Sequence, residues 1–133
     1  MILGIGTDLT NVDRIQRILD RHGDRFRDRI FSRSEKEKAK LSKNEANSYA
    51  KRWAAKEALL KALGTGLQMG ITWKDMSVSN LETGEPTISL SGQAKKRLQK
   101  LTQVGQFTKI HLSLTDDCPW AQAFVIIESR DLS

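Results

Sequence analysis

The stretch RWAAKEALLKALGTG, from Arg52 to Gly66, holds three charged side chains, Lys56, Glu57 and Lys61, in an otherwise apolar run. Near the start, the apolar run ILGIGT is followed directly by Asp8. Glu57 and Asp8 are hard oxygen donors. Two such carboxylates, completed by the phosphate oxygens of a substrate, make a reasonable shell for Mg²⁺. After the helix-forming run, Gly64-Thr65-Gly66 can offer a hydroxyl and backbone amides to a phosphate. Gly66 lacks the Cβ that would keep a ligand away from the backbone. Each residue also has a plainer reading. Glu57 and Lys61 are spaced as an i,i+4 helix pair, and Asp8 suits a turn or helix cap. Trp53, one turn before Glu57, argues that this face is covered, and a covered carboxylate needs a counter-charge or a metal. Spacing alone does not place Asp8 beside Glu57.

The elements that must position these groups follow from periodicity and punctuation. Residues 2–7 read as a short buried strand, weakened by two glycines, with Asp8 at its end. Thr10 or Asn11 caps a helix running from about Val12 into the twenties, with Val12, Ile15, Ile18 and Leu19 as its apolar stripe. His22-Gly23 breaks it, and Phe26, Ile30 and Phe31 are the next apolar anchors. Ser34 and Glu37 form a capping box that predicts a short polar helix to about Leu41. Asn44 or Asn47 caps the long helix, in which Ala55, Leu59 and Ala62 share one face while Trp53, Glu57 and Leu60 lie roughly opposite. Gly64 is its natural C′ residue. Beyond the loop at 64–72, strands are expected at 74–80 and 87–91 around a Gly-Glu-Pro turn, then a helix from about Gln93 to Leu101. Two closing strands, 109–115 and 121–128, flank the hairpin-sized TDDCPW. The order is that of a single α+β domain spanning residues 1–133.

Composition bounds the function. A chain of 133 residues with 38% hydrophobic content supports one core, and no apolar run approaches the roughly 18 residues of a membrane span. The start lacks a signal-peptide pattern, so a cytoplasmic protein is expected. The single Cys118 excludes an internal disulfide framework. A net charge of +6 points to an acidic partner.

Three segments together, GIGTDL at Gly4 to Leu9, FSRSE at Phe31 to Glu35 and RWAAKEALLKALGTG, resemble the bacterial holo-[acyl-carrier-protein] synthases of the 4′-phosphopantetheinyl transferase family. The resemblance covers nearly the whole chain. It implies that family's small α+β fold and the transfer of 4′-phosphopantetheine from coenzyme A to a serine of acyl carrier protein, a step serving fatty acid and lipid biosynthesis. It implies Mg²⁺ held by Asp8 and Glu57, with Lys61 assisting at the phosphates, so that Asp8, Glu57 and Lys61 carry the catalysis. Lys61, Gly64, Thr65, Gly66 and His111 would bind coenzyme A, His111 matching a family histidine on the penultimate strand. Glu57, directly or through a metal-bound water, is the leading base for the serine proton, and Asp8 through water is the alternative. A buried structural role is the other reading of His111. Family members carry either histidine or aspartate at the position of Asp116, so no essential acid–base role is expected there. A homotrimer with active sites between subunits is implied as well.

The first helix suggests how a carrier would dock. From Asp13 to Arg29 there are six arginines against four aspartates. A solvated, self-paired face is one reading. The resemblance favours docking of an acidic carrier helix by Arg14, Arg21 and Arg25, with Phe26 and Ile30 as apolar anchors. Two rivals are an RNA-binding module and a scaffold that binds coenzyme A without turnover. Lys95, Lys96, Arg97 and Lys100 add a basic patch that suits RNA, but the chain lacks a recognised RNA motif and a stacking aromatic series. Neither rival explains the paired acids, and neither nucleic acid nor membrane is an expected partner.

Overall fold

The computed structural model describes residues 1–132. The elements run β1 (Ile2–Asn11), α1 (Val12–His22), α2 (Asp24–Ile30), α3 (Arg33–Leu41), α4 (Glu45–Leu63), a 3₁₀ turn (Trp73–Asp75), β2 (Met76–Asn80), β3 (Pro86–Leu90), α5 (Gly92–Leu101), β4 (Gln106–Asp117) and β5 (Trp120–Asp131). β1, β5 and β4 form an antiparallel sheet in that spatial order, and β2 and β3 form a hairpin. The expected α+β architecture is present. Among the described residues, no helix is long and apolar enough to cross a membrane.

α4 organises the molecule. It packs chiefly on β1 and β5, with α1 and α3 against its other sides. Its alanines and leucines are buried all round, from Ala46 near one end to Leu63 at the other. One apolar cluster joins α4 to the sheet, the β2–β3 hairpin and Ala94 of α5. A second joins its first half to α1, Ile30 and Phe31. The helix starts at Asn44, whose side chain accepts from the Asn47 amide, and ends at Gly64, whose φ of 77° is left-handed.

Four expectations change in detail. β1 continues to Asn11, so Asp8 lies within the strand and not at its end. Pairing explains the extension: Leu9, Thr10 and Asn11 are in register with Gln122, Ala121 and Trp120. Of the two expected caps, Thr10 and Asn11, Asn11 is the one that accepts from the Asp13 and Arg14 amides. The capping box belongs to Ser32 and Glu35 instead of Ser34 and Glu37. Phe31 is fully buried immediately before it, which fixes the helix entry, while Glu37 pairs with Arg33. Residues 73–75 form a turn before β2 starts at Met76. β4 and β5 are each longer than expected and pair up to Asp117 and Trp120, leaving Cys118-Pro119, a cis peptide, as the turn.

One face of the three-stranded sheet is covered by α4. The register sets Ile5 beside Ile126 and His111, Thr7 beside Phe124 and Ser113, and Leu9 beside Gln122 and Thr115 on the other face. Ile2, Ile5, Leu9, Phe107, Trp120 and Phe124 are all exposed. The register assigns them to this outer surface, Ile2 by its pairing with Glu128 across a register shift before Gly4.

Candidate active site

β1 and α4 meet at two glycines. A Cβ on Gly4 would lie 2.0 Å from the Ala62 carbonyl oxygen, and one on Gly6 would lie 1.8 Å from that of Ala58. Only glycine allows the helix this close. As the strand advances from residue 4 to 6, its contact moves from Ala62 back to Ala58, so helix and strand run in opposite directions. With a period of two, Asp8 follows on the same face. It therefore comes up beside the turn of α4 that carries Glu57, and Lys61 reaches it from one turn further on.

The charges converge as that geometry requires. Lys61 Nζ donates to the Thr7 carbonyl at 2.8 Å and lies 3.4 Å from Asp8 Oδ1. Thr10 Oγ1 donates to Asp8 Oδ2 at 2.7 Å, which orients the carboxylate. The Asp8 side chain is 17% exposed and that of Lys61 55%. Burial, and then the negative charge of Asp8, push the Glu57 carboxyl above its ordinary range, while Lys61 and Arg14 act in the opposite direction. Lys61 thus engages Asp8, and not Glu57 as an i,i+4 reading would have it. Crowding two carboxylates is unfavourable without a cation. The donor set suits Mg²⁺, which takes one or two carboxylates and fills its other positions with water and phosphate oxygens. Among the described residues no group of three or more acidic, histidine or cysteine side chains could hold a metal.

The helix that was expected to dock a partner begins at this site. α1 starts directly after β1, and Arg14, Arg21 and Arg25 are exposed. Arg14, in the first turn of α1, is one of the positive charges that lower the Glu57 proton affinity. Phe26 is half-buried, edge-on to Phe31 at 5.6 Å and 6.0 Å from Trp53. Trp53 stacks on Trp73 at 4.7 Å, so the face before Glu57 is covered, as its tryptophan suggested.

Gly64, Thr65 and Gly66 turn away from the end of α4 with φ of 77° and 57° at the glycines, and a Cβ on Gly66 would meet nothing within 4 Å among the described residues. Thr65 Oγ1 donates to the Gly66 carbonyl. His111 stands apart from Asp8, on the outer sheet face, 41% exposed, with Nε2 3.0 Å from Glu128 Oε1. That position overturns the buried structural reading. Asp116 accepts from Asn47 and pairs with Lys51, tying the β4–β5 hairpin to α4.

Two features escaped sequence reasoning. Lys56 is fully buried and donates to Glu35 Oε1 at 2.7 Å and to the Ile30 carbonyl at 2.6 Å. Glu35 also accepts from the Ser32 and Val78 amides. This pair pins α3 and β2 to the α4 residue next to Glu57. Arg52, only 8% exposed, donates to Ser48, while its Nε has no hydrogen-bond partner among the described residues. It lines a cationic crevice with Lys38, Lys43 and Lys51. Both residues stood in plain view in the 52–66 stretch. Their signal was a charge where the helix is apolar on every side.

Comparison with known proteins matches residues 4–117 to the 4′-phosphopantetheinyl transferase superfamily. A protein of Ruegeria sp. (strain TM1040) named holo-[acyl-carrier-protein] synthase is 61% identical over 132 residues, 99% of this chain and 93% of that one. The crystal structure of holo-[acyl-carrier-protein] synthase from Neisseria meningitidis superposes with a TM-score of 0.85 at 31% identity, covering 96% of this chain and 99% of the other. A Bacillus anthracis holo-(acyl-carrier-protein) synthase, in complex with coenzyme A (3′,5′-ADP), gives 0.77 at 32% identity over 98% and 99%.

Proposed function

The chain belongs to the 4′-phosphopantetheinyl transferase superfamily, and we propose from that premise that it moves 4′-phosphopantetheine from coenzyme A to a serine of apo acyl carrier protein with Mg²⁺ as its cofactor. The observation that carries the site assignment is the meeting of Asp8, Glu57 and Lys61 where β1 crosses α4. The setting is cytoplasmic fatty acid and lipid biosynthesis.

In the reaction the serine oxygen bonds to the phosphorus that carries pantetheine. The bond from that phosphorus to the bridging oxygen breaks, and adenosine 3′,5′-bisphosphate leaves with the electron pair. Asp8 and Glu57 would hold the Mg²⁺, which when bound supplies positive charge to the diphosphate. Lys61, more than half exposed beside Asp8, contributes a cation to the same oxygens. Glu57, directly or through a water, is the leading base for the serine proton, with Asp8 through water as the alternative. Asp8 is held by Thr10 and Lys61, which suits it to a fixed ligand role. Gly64, Thr65 and Gly66 border the phosphate path. Arg14, Arg21 and Arg25 offer the carrier a positive face, with Phe26 beside it.

A homotrimer with shared sites fits two observations. The outer sheet face exposes Ile2, Ile5, Leu9, Phe107, Trp120 and Phe124. Arg52 and Glu57 are five residues apart, about 140° around the α4 axis, so the cationic crevice and the carboxylate pair look out from different sides. Coenzyme A has a third phosphate, on its ribose, that such a crevice would suit. His111 likewise lies away from Asp8 in one chain. A ligand reaching all of these groups draws them from two chains.

The test is intact-mass analysis of apo acyl carrier protein after incubation with the protein, coenzyme A and Mg²⁺. One phosphopantetheine should be added, and the gain should vanish with chelator. A folded protein that modifies none of several bacterial carriers would refute the assignment.

A further inference from the structure

Arg97, on α5, is 34 residues from the end of α4 and, among the described residues, makes its one hydrogen bond there. Its Nε donates to the Leu63 carbonyl at 3.0 Å, in a partly buried position. Its terminal nitrogen lies 3.8 Å from where a Cβ on Gly64 would stand. Leu63 is the last residue of α4, and Gly64 opens the loop assigned above to phosphate.

The location is electrostatically awkward for an anion. A helix C-terminus presents unpaired carbonyls and a partial negative charge. Phosphates are ordinarily received at the opposite end, where N–H groups point outward. Here the Gly64 amide covers the Leu60 and Lys61 carbonyls. The Leu63 carbonyl is covered by Arg97 alone among the described residues. Arg97 therefore removes an exposed acceptor and adds a full positive charge at the point where the chain turns into Gly64-Thr65-Gly66.

We propose that Arg97 is a positioning residue for coenzyme A, closing the carbonyl end of α4 so that the Gly64–Gly66 loop can accept the nucleotide's phosphates. This rests on the function proposed above. Arg97 acts through the loop and the local field. It takes no part in proton transfer.

Arg97→Gln keeps a donor within reach of Leu63 and removes the charge, Arg97→Leu removes both, and Arg97→Lys keeps the charge. Losing a charge-assisted hydrogen bond and its field should raise the KM for coenzyme A about tenfold in Arg97→Leu. The carrier KM should stay within about twofold, at a kcat near that of the parent. Arg97→Gln should fall in between, Arg97→Lys should recover most of the loss, and the salt dependence of the coenzyme A KM should flatten with the charge gone. Calorimetry with adenosine 3′,5′-bisphosphate reads the same loss without turnover. A merely structural role would lower the melting temperature and move both KM values together. Unchanged coenzyme A and bisphosphate affinity in Arg97→Leu, or an equal rise in both KM values, would overturn the proposal while leaving an active parent's function intact. A parent that neither binds coenzyme A nor turns over would overturn both readings.

Discussion

Gly6 lies directly beneath Ala58: a methyl group on the glycine would fall 1.8 Å from the alanine's carbonyl oxygen. The obstacle is backbone, so no side-chain rotation relieves it. The separation between the strand carrying Asp8 and the helix carrying Glu57 is set here.

Gly6→Ala should therefore damage stability and catalysis together. Overpacking ordinarily costs about 1–3 kcal/mol, and a backbone clash belongs at or above the top of that range. Urea denaturation reads the first effect. Transfer kinetics of the folded fraction read the second, as a lower kcat with α4 pushed outward. A variant that keeps parental kcat would show that the Asp8–Glu57 separation does not depend on this contact.

Glu57→Gln should raise the stability of the metal-free protein at neutral pH while removing activity. The folded chain holds the Glu57 proton more tightly than the unfolded chain, because its carboxyl is buried and faces Asp8. That contribution is complete below the unfolded value of about 4.5 and is lost as pH rises through the raised folded value. At pH 7 the ionised carboxylate opposes folding, and glutamine does not. Thermal melts at pH 7 and near pH 4 should show the variant's advantage only at the higher pH. Added Mg²⁺ should raise the parent's melting temperature and leave the variant's unchanged. A variant that melts below the parent at pH 7 without metal would contradict the crowding argument.

Lys56→Met leaves Glu35 as an unpaired charge in the core. Breaking a buried pair from one side costs about 3–5 kcal/mol. Adding Glu35→Gln should recover part of this, since a neutral amide needs no counter-charge and can still accept from Val78. Chemical denaturation of both single variants and the double variant forms the cycle. A cost below about 1 kcal/mol for Lys56→Met would remove the pair as a support of α4.

Arg21 and Arg14 should separate docking from chemistry. Arg21→Glu should raise the carrier KM about tenfold or more at low salt, with the coenzyme A KM unchanged. Arg14→Glu should do the same and also shift the acid limb of the rate–pH profile upward, because Arg14 helps hold down the Glu57 proton affinity. Steady-state kinetics at two ionic strengths and several pH values decide this. Equal pH profiles for the two variants would place Arg14 on the docking face alone.

The helix α4, its cap to within Asn44 or Asn47, and the glycine turn after it were legible because they depend on local propensity and punctuation. The types of Asp8 and Glu57 were legible too. Their proximity was not, since it depends on Gly4 and Gly6, which in sequence look only like weak points of a strand. The capping box went to Ser34 and Glu37 because the pattern fits both pairs. The choice of Glu35 is made by Lys56, 21 residues away and in the core. His111 was expected at the coenzyme A site, and its place on the outer sheet face followed only from the β4–β5 register. Arg52 needed the three-dimensional crevice to distinguish it from other helix arginines.

In many folds the interior can drift while function resides on loops set above it. The all-round burial of α4 denies this chain that freedom. The same 19 residues fill two apolar clusters and carry Glu57 and Lys61. A change of volume on any side of the helix is passed to the carboxylate pair, because close-packed interiors transmit strain. Sequence variation in its core is thus constrained by catalysis as well as by stability, and a substitution that improves packing can still be a poor one for the enzyme.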